Sequence, residues 1–314
     1  MARRRMTLLK TGILTLGIGA IVTWSSTVAA AVIAAAFSGS YAVTNLGSVV
    51  GNGGLAFLPG DPNHILLGHD ANAVTGVFYK VPVTRDANCH VNGFLPHTTF
   101  GTVGEYNDGG VTFSPERVLF STRYPRNELA QTRITSSDED RVDDLDLHNV
   151  VTTVSVSGAT FVPAGFAGAG QLKLTEIHGN WYTMPMSADG AGTFNLGTAV
   201  LHVTLTGGPE GFAYVGGSNA VFGADSVIVA ENNLNSLAAY TVDANGDPVV
   251  ASRRSFATAL PTPLGLAIDP LTGDLLISSI GDADIYRING FVVPHVPEMI
   301  FTDGFDDLCA GAHL

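Results

Sequence analysis

The residues best suited to chemistry in this sequence are carboxylates and amides that recur at the edges of short apolar runs. Asn107-Asp108, Glu210 and Glu231-Asn232 stand at such edges, and so do Asn52, Glu176 and Asp282. Oxygen-rich sets of this kind are what a hard cation such as Ca2+ requires. Carboxylates crowded together repel one another unless a proton or a metal intervenes. The candidate metal set is therefore Asn107, Asp108, Glu210, Glu231 and Asn232. His69, Asp70, Arg123, Glu176 and His178 flank the same runs and are the candidate substrate contacts, the histidines being able to shuttle protons near neutral pH. The plainer reading is that the carboxylates cap strand ends and the histidines are ordinary loop residues.

The elements that must position these side chains are short strands. GLAFLP opens at Gly54, GVTFSP at Gly110, GATFVP at Gly158, GFAYVG at Gly211 and GLAIDP at Gly265. Each opening leads through a turn into a second apolar run: ILLG, VLFS, LKLT, VIVA and LLIS. The runs are too short for helices and rich in β-branched residues, so each unit reads as an antiparallel meander. A period of about 50 residues with this content is the signature of propeller blades. The expected fold is an all-β propeller of five or six four-stranded blades. The last unit lacks a fourth strand, and residues 41–50 form an orphan strand, so an N-terminal strand is expected to close the ring. In such a ring the edges listed above gather at one mouth of the central channel. The turns PGDPNH, SPER, PAGFAGAG and DPLTGD fall on the other face and read as generic.

Composition narrows the function classes. The chain has 314 residues, a formal net charge of −13 and only 15 basic residues, which argues against nucleic-acid binding. Arg3, Arg4, Arg5 and Lys10 precede an apolar stretch and a small-residue site at Val28-Ala29-Ala30, the pattern of a secretory signal over residues 1–30. A rival reading joins residues 11–37 into one membrane anchor. In both, the folded part, residues 41–293 after a linker at 31–40, lies outside the cytoplasm, secreted or periplasmic and monomeric. The two cysteines, Cys89 and Cys309, suit an oxidising compartment; one disulfide would pin the tail, 294–314, to the first blade. Two unpaired thiols are the alternative.

Other acidic or glycine-rich motifs carry less. The run 136–146, SSDEDRVDDLD, lacks the glycine and spacing of a calcium loop and is expected to be a solvated excursion. DANGD, 243–247, reads as a hairpin turn. GGSNA, 216–220, lies between strands, where no nucleophile elbow can form.

GLAIDPLTGDLLIS and PEGFAYVGGSNAVFGADSVIVAE resemble blades of the calcium-dependent senescence marker protein/gluconolactonase group and of NHL-repeat propellers. EYNDGGVTF is similar to that group's Asn-Asp-Gly segment, which implies Asn107 and Asp108 as metal or substrate contacts, and Glu210 with them. The group usually has six blades, and its early acidic ligand has no counterpart near Gly53-Gly54. For an enzyme, the resemblance implies hydrolysis of a lactone or ester, with Ca2+ polarising the carbonyl and Asp108 or Glu231 activating water. Two functions thus stand side by side. One is a binding scaffold for a small molecule, glycan or protein at an acidic, calcium-holding mouth. The other is a metal-dependent lactonase.

Overall fold

The computed structural model describes residues 30–49, 51–101, 104–134, 139–146 and 155–292. Five antiparallel sheets follow one another along the chain, and their innermost strands neighbour one another in a closed cycle. Blade one contains Leu55–Leu58, Asp61–His69 and Val77–Arg85, the last pairing with both Val91–Phe94 and Thr98–Thr99. Blade two runs Asn107–Phe113, Val118–Arg123, Glu128–Ile134 and Glu139–Asp146. Blade three runs Val156–Phe161, Leu172–Glu176, Asn180–Met184 and Val200–Thr204, with a small hairpin inserted before its last strand. Blade four runs Pro209–Val215, Ser226–Glu231, Ser236–Thr241 and Arg254–Thr258. Blade five runs Pro263–Ile268, Leu275–Ser279 and Asp284–Asn289, with Ala42–Ser48 outermost.

The second strands are mainly apolar because each blade is covered on both faces, and the one buried lysine among them, Lys173, is paired with Asp247. Period-two alternation sends Ile65 and Leu67 toward blade five and Leu66 toward blade two. In the same way Phe120 faces blade three while Leu119 faces blade one. The core is accordingly divided into five clusters, one per junction between blades.

At the axis, the five glycines that open the repeats stand where backbone meets backbone. A Cβ on Gly158 would fall 2.2 Å from the Glu210 carbonyl oxygen of the next blade, and one on Gly211 would fall 2.5 Å from that of Leu264. A Cβ on Gly265 would fall 2.7 Å from Gly54 Cα, and those on Gly54 and Gly110 meet the Asp108 carbonyl oxygen and the Ala159 amide nitrogen, each at 2.5 Å. No side chain fits at any of these points. Hydroxyls opposite the glycines staple the cycle. Thr122 Oγ1 accepts from Gly110 N at 3.0 Å and donates to the Ser157 carbonyl at 2.7 Å. Ser278 Oγ accepts from Gly265 N at 2.9 Å and donates to the Gly53 carbonyl at 2.6 Å. Thr175 Oγ1 donates to the Glu210 carbonyl at 2.9 Å. Between blades one and two, the Gly54 amide itself donates to the Asp108 carbonyl at 2.8 Å.

Three expectations need correction. The stretch 31–40 is more than a linker: Val32–Ile33 pairs with Arg254–Thr258 at the edge of blade four. Phe37 is fully buried against Tyr41, Phe222 and Phe256. The acidic run is not an excursion, because Glu139–Asp146 supplies the outermost strand of blade two, in register with Glu128–Ile134 across one bulge. An outer strand needs only backbone partners, so poor intrinsic strand propensity does not exclude it.

The turns of the far face are not generic either. Asp269 of DPLTGD is fully buried and accepts two hydrogen bonds from Arg85 of blade one, at 2.6 and 3.1 Å. Asp274 lies 2.6 Å from His90 of that blade. Asp247 of the DANGD hairpin accepts from Lys173 Nζ at 2.6 Å and from Trp181 Nε1 at 2.9 Å, both in blade three. Each aspartate turn therefore pairs a buried charge across a junction between blades. Cys309 lies outside the described residues, and so does the expected bridge to Cys89.

Replacing Gly211 by Ala is expected to cost about 3 kcal/mol through backbone overlap, whereas Gly39→Ala, in open space, should be neutral. Thr122→Val should cost about 1–3 kcal/mol because it strands a buried amide and carbonyl, and Thr122→Ser should recover most of that. Denaturant unfolding of the four variants checks both expectations.

Candidate functional site

Antiparallel pairing sets the first residues of each inner strand beside the last residues of the second strand. Asn107 pairs with Arg123, Val156 with Glu176 and Pro209 with Glu231. The sequence-derived candidates therefore do stand at one end of the blades. They do not act as one set.

Asp108 and Glu210 come together. Both are buried, and burial pushes the Asp108 carboxyl up to about 8, against one opposing hydrogen bond from the Gly109 amide. Glu210 is raised well above the usual carboxylate range, first by burial and then by the negative charge of Asp108, with the Ser157 hydroxyl opposing. Its Oε2 has no hydrogen-bond partner. It sits 3.0 Å from where a Cβ on Gly109 would stand, hard against the glycine ring. Burial thus favours the protonated, uncharged form of both carboxyls.

Asn107 is a clamp between blades one and two. Its amide group donates to the His69 carbonyl at 2.9 Å and to the Gly104 carbonyl at 2.7 Å. Its Oδ1 lies in the space that side chains on Gly53 and Gly68 would occupy, 2.0 Å from each imagined Cβ. Glu231 is committed elsewhere. Arg253 donates to both of its oxygens, at 2.7 and 2.5 Å, while Ser236 and Tyr240 donate at 2.9 and 3.1 Å. Asn232 donates to the Pro263 carbonyl at 3.3 Å.

Glu176 is fully buried and accepts the amides of His178 and Asn180, the strand-end role that the plainer reading assigns it. Arg123 is buried between Glu105 and Glu128, 3.5 and 3.1 Å away, with its guanidinium over the Tyr106 ring. His69 stacks on Tyr79 with ring centroids 5.4 Å apart, 4.0 Å from Asp70. His178 is exposed.

Of the five residues expected to hold Ca2+, then, only Asp108 and Glu210 form a buried carboxyl pair, close enough for the charge of Asp108 to act on Glu210. Among the described residues no three His, Cys, Asp or Glu side chains gather into a ligand group. Glu231, filled by Arg253, is a poor candidate for activating water.

The opposite mouth carries the cavity. A funnel of about 410 Å3 opens on the axis, lined by the inner strands of all five blades and, on one rim, by Arg117. Its wall follows the repeat. The residue two after each ring glycine faces the axis and is small: Ala56, Thr112, Thr160, Ala213 and Ala267. Phe57, Phe113, Tyr214 and Ile268 add larger apolar surface. Among the described residues no carboxylate lines the funnel, and the glycine ring stands between it and the Asp108–Glu210 pair. The openings GLA, GVT, GAT, GFA and GLA held this signal in the sequence, as a glycine followed at period two by a small residue.

No family model matches the chain, and no curated protein matches it. Solved structures do. The chain is similar to the Carbohydrate-Active Enzymes Family AA12 protein of Trichoderma reesei. In its iodide structure the TM-score is 0.50 and the identity 11%, over 84% of this chain and 98% of that one. In the calcium structure of the same protein the TM-score is again 0.50, with 10% identity over 84% and 98%. An auxiliary nutrient binding protein of Bacteroides thetaiotaomicron aligns with a TM-score of 0.42 and 12% identity, over 77% of this chain and 69% of that one. At these identities the likeness shows a propeller fold and nothing finer. Among the described residues no helix is long and apolar enough to cross a membrane.

The carboxyl pair predicts a pH dependence. Asp108 titrates at about 8 when folded and at 3.8 when free, so the folded state holds a proton that the unfolded chain releases. The native state is therefore favoured below pH ~4 and loses that advantage as pH rises toward ~8. In chelated buffer, Asp108→Asn should flatten the fall in melting temperature between those limits by several degrees. Parallel profiles for the variant and the parent protein would refute the raised Asp108 carboxyl.

Proposed function

We propose that the protein is an extracytoplasmic binding propeller that holds a small, mainly apolar ligand in its axial funnel. The observation that carries this reading is the funnel itself. Its volume of about 410 Å3 lies in the range of ligand sites, which are concave, mostly apolar and furnished with few polar groups. Its position suits the fold, since five strand ends converge there and fix its wall. The signal-like N-terminus, residues 1–30, supports placement outside the cytoplasm, although it lies outside the described residues.

The test is a neutral apolar dye such as Nile red. The dye should bind with a saturable rise in fluorescence, and a ligand at about 100 times its dissociation constant should stabilise the fold by roughly 2.7 kcal/mol. Thr112→Trp places an indole in the funnel and should remove the binding while the protein still melts cooperatively. Equal binding by that variant would place the dye elsewhere and defeat the proposal.

A second reading keeps the calcium-dependent hydrolase. It is favoured by the unpartnered Glu210 Oε2 beside Asp108, two oxygens of the type Ca2+ prefers. EDTA should then lower the melting temperature by a few degrees, and Ca2+ should restore it. Glu210→Gln should abolish that response, and lactones or aryl esters should turn over only in the metal-loaded protein. A melting temperature indifferent to both additions removes the cation and the lactonase together.

A further inference from the structure

The charge on the funnel wall is opposite to that of the molecule. The chain has 28 acidic residues and a net charge of −13. Among the described residues the funnel wall carries no aspartate or glutamate, and its one charged residue is Arg117. Glu116 precedes Arg117 in the exposed SPER turn but does not line the funnel, and Asp61 of the adjoining groove is occupied by His64 at 2.7 Å and Lys80 at 3.7 Å.

Arg117 is held in place but not neutralised. It sits at the close of the SPER turn, where its amide donates to the Ser114 carbonyl at 2.9 Å. Its φ of 67° is in the left-handed region that favours glycine or asparagine. An arginine there carries backbone strain of order 1 kcal/mol that a glycine would avoid. One guanidinium nitrogen donates to the Pro59 carbonyl across the junction to blade one, at 3.2 Å, which ties the side chain to the rim. No carboxylate pairs with it among the described residues. Its remaining N–H donors form a planar fork suited to a carboxylate.

We propose that the funnel selects small apolar carboxylates, with Arg117 binding the carboxylate at the rim and the apolar body lying along Phe57, Phe113, Thr112 and Tyr214. The inference rests on the funnel being a ligand site and names its ligand class. The charge-assisted pair supplies the discrimination, because an alcohol of the same shape leaves the guanidinium fork unanswered and an amine is repelled.

Calorimetric titration of the full chain with cinnamate, cinnamyl alcohol and cinnamylamine tests it. Cinnamate should bind about tenfold more tightly than the alcohol, as one charge-assisted hydrogen bond allows. The amine should bind most weakly, and only the cinnamate affinity should fall as salt is added. Arg117→Met keeps the apolar stem and should bring cinnamate and the alcohol to equal affinity, while Arg117→Lys should keep part of the preference. Melting temperatures and Nile red binding confirm that both variants remain folded with the funnel intact. If cinnamate and the alcohol bind alike, or if the preference survives in Arg117→Met, the role of Arg117 is overturned while the funnel reading stands. If none of the three binds and Nile red binding ignores Thr112→Trp, both inferences fall.

Discussion

Everything in this molecule depends on how closely five strands can approach one axis. Propeller blades diverge outward, so the inner strands must meet with almost nothing between them. Gly54, Gly110, Gly158, Gly211 and Gly265 allow that contact, and Thr122, Thr175 and Ser278 turn it into hydrogen bonds between neighbouring blades. Side chains reappear along each inner strand in order of size. Glycine is followed at period two by alanine or threonine, so the space around the axis widens steadily toward one face. The funnel is thus the geometric remainder of the contact that closes the ring.

Charge is distributed around that frame in two different ways. At the junctions between blades, buried aspartates are matched: Asp269 with Arg85, and Asp247 with Lys173 and Trp181. Removing one partner of such a pair is costly, because it leaves a charge stranded away from water. On the axis, Asp108 and Glu210 have no basic partner among the described residues, and burial favours their protonated forms. The ring keeps this pair apart from the apolar funnel. The two mouths therefore differ in chemistry although the same five strands form both.

The blades were legible in the sequence because covering both faces favours a mainly apolar second strand, and five such runs at a regular interval leave little room for another fold. The clustering of acids at one end was also legible, since antiparallel pairing brings the start of one strand to the end of the next. What each acid does there was not. Glu231 and Glu176 look alike in sequence, yet one is filled by Arg253 from a strand-entry loop 22 residues away and the other by amides two and four residues on. Asn107 reads as a ligand until its amide is seen bridging two carbonyls against glycines of another blade. The far-face turns were underrated because a turn motif reports its own backbone, not the side chain it will meet across a junction. Arg117 escaped notice for the same reason.

The N-terminal segment has a consequence for the order of folding. Val32–Ile33 completes the edge of blade four and Ala42–Ser48 that of blade five, so the first part of the domain to be synthesised pairs with some of the last. Asn45 bonds Asp284 across 239 residues of chain. Contacts this distant come late and slowly, since a long loop must close before they form. Val32–Ile33 has no partner until residues 254–258 have been made, and Ala42–Ser48 none until residues 284–289 have. Ring closure waits on these long-range pairs, and until they form two strand edges and the aromatic cluster around Phe37 stay open to any other chain that offers a match.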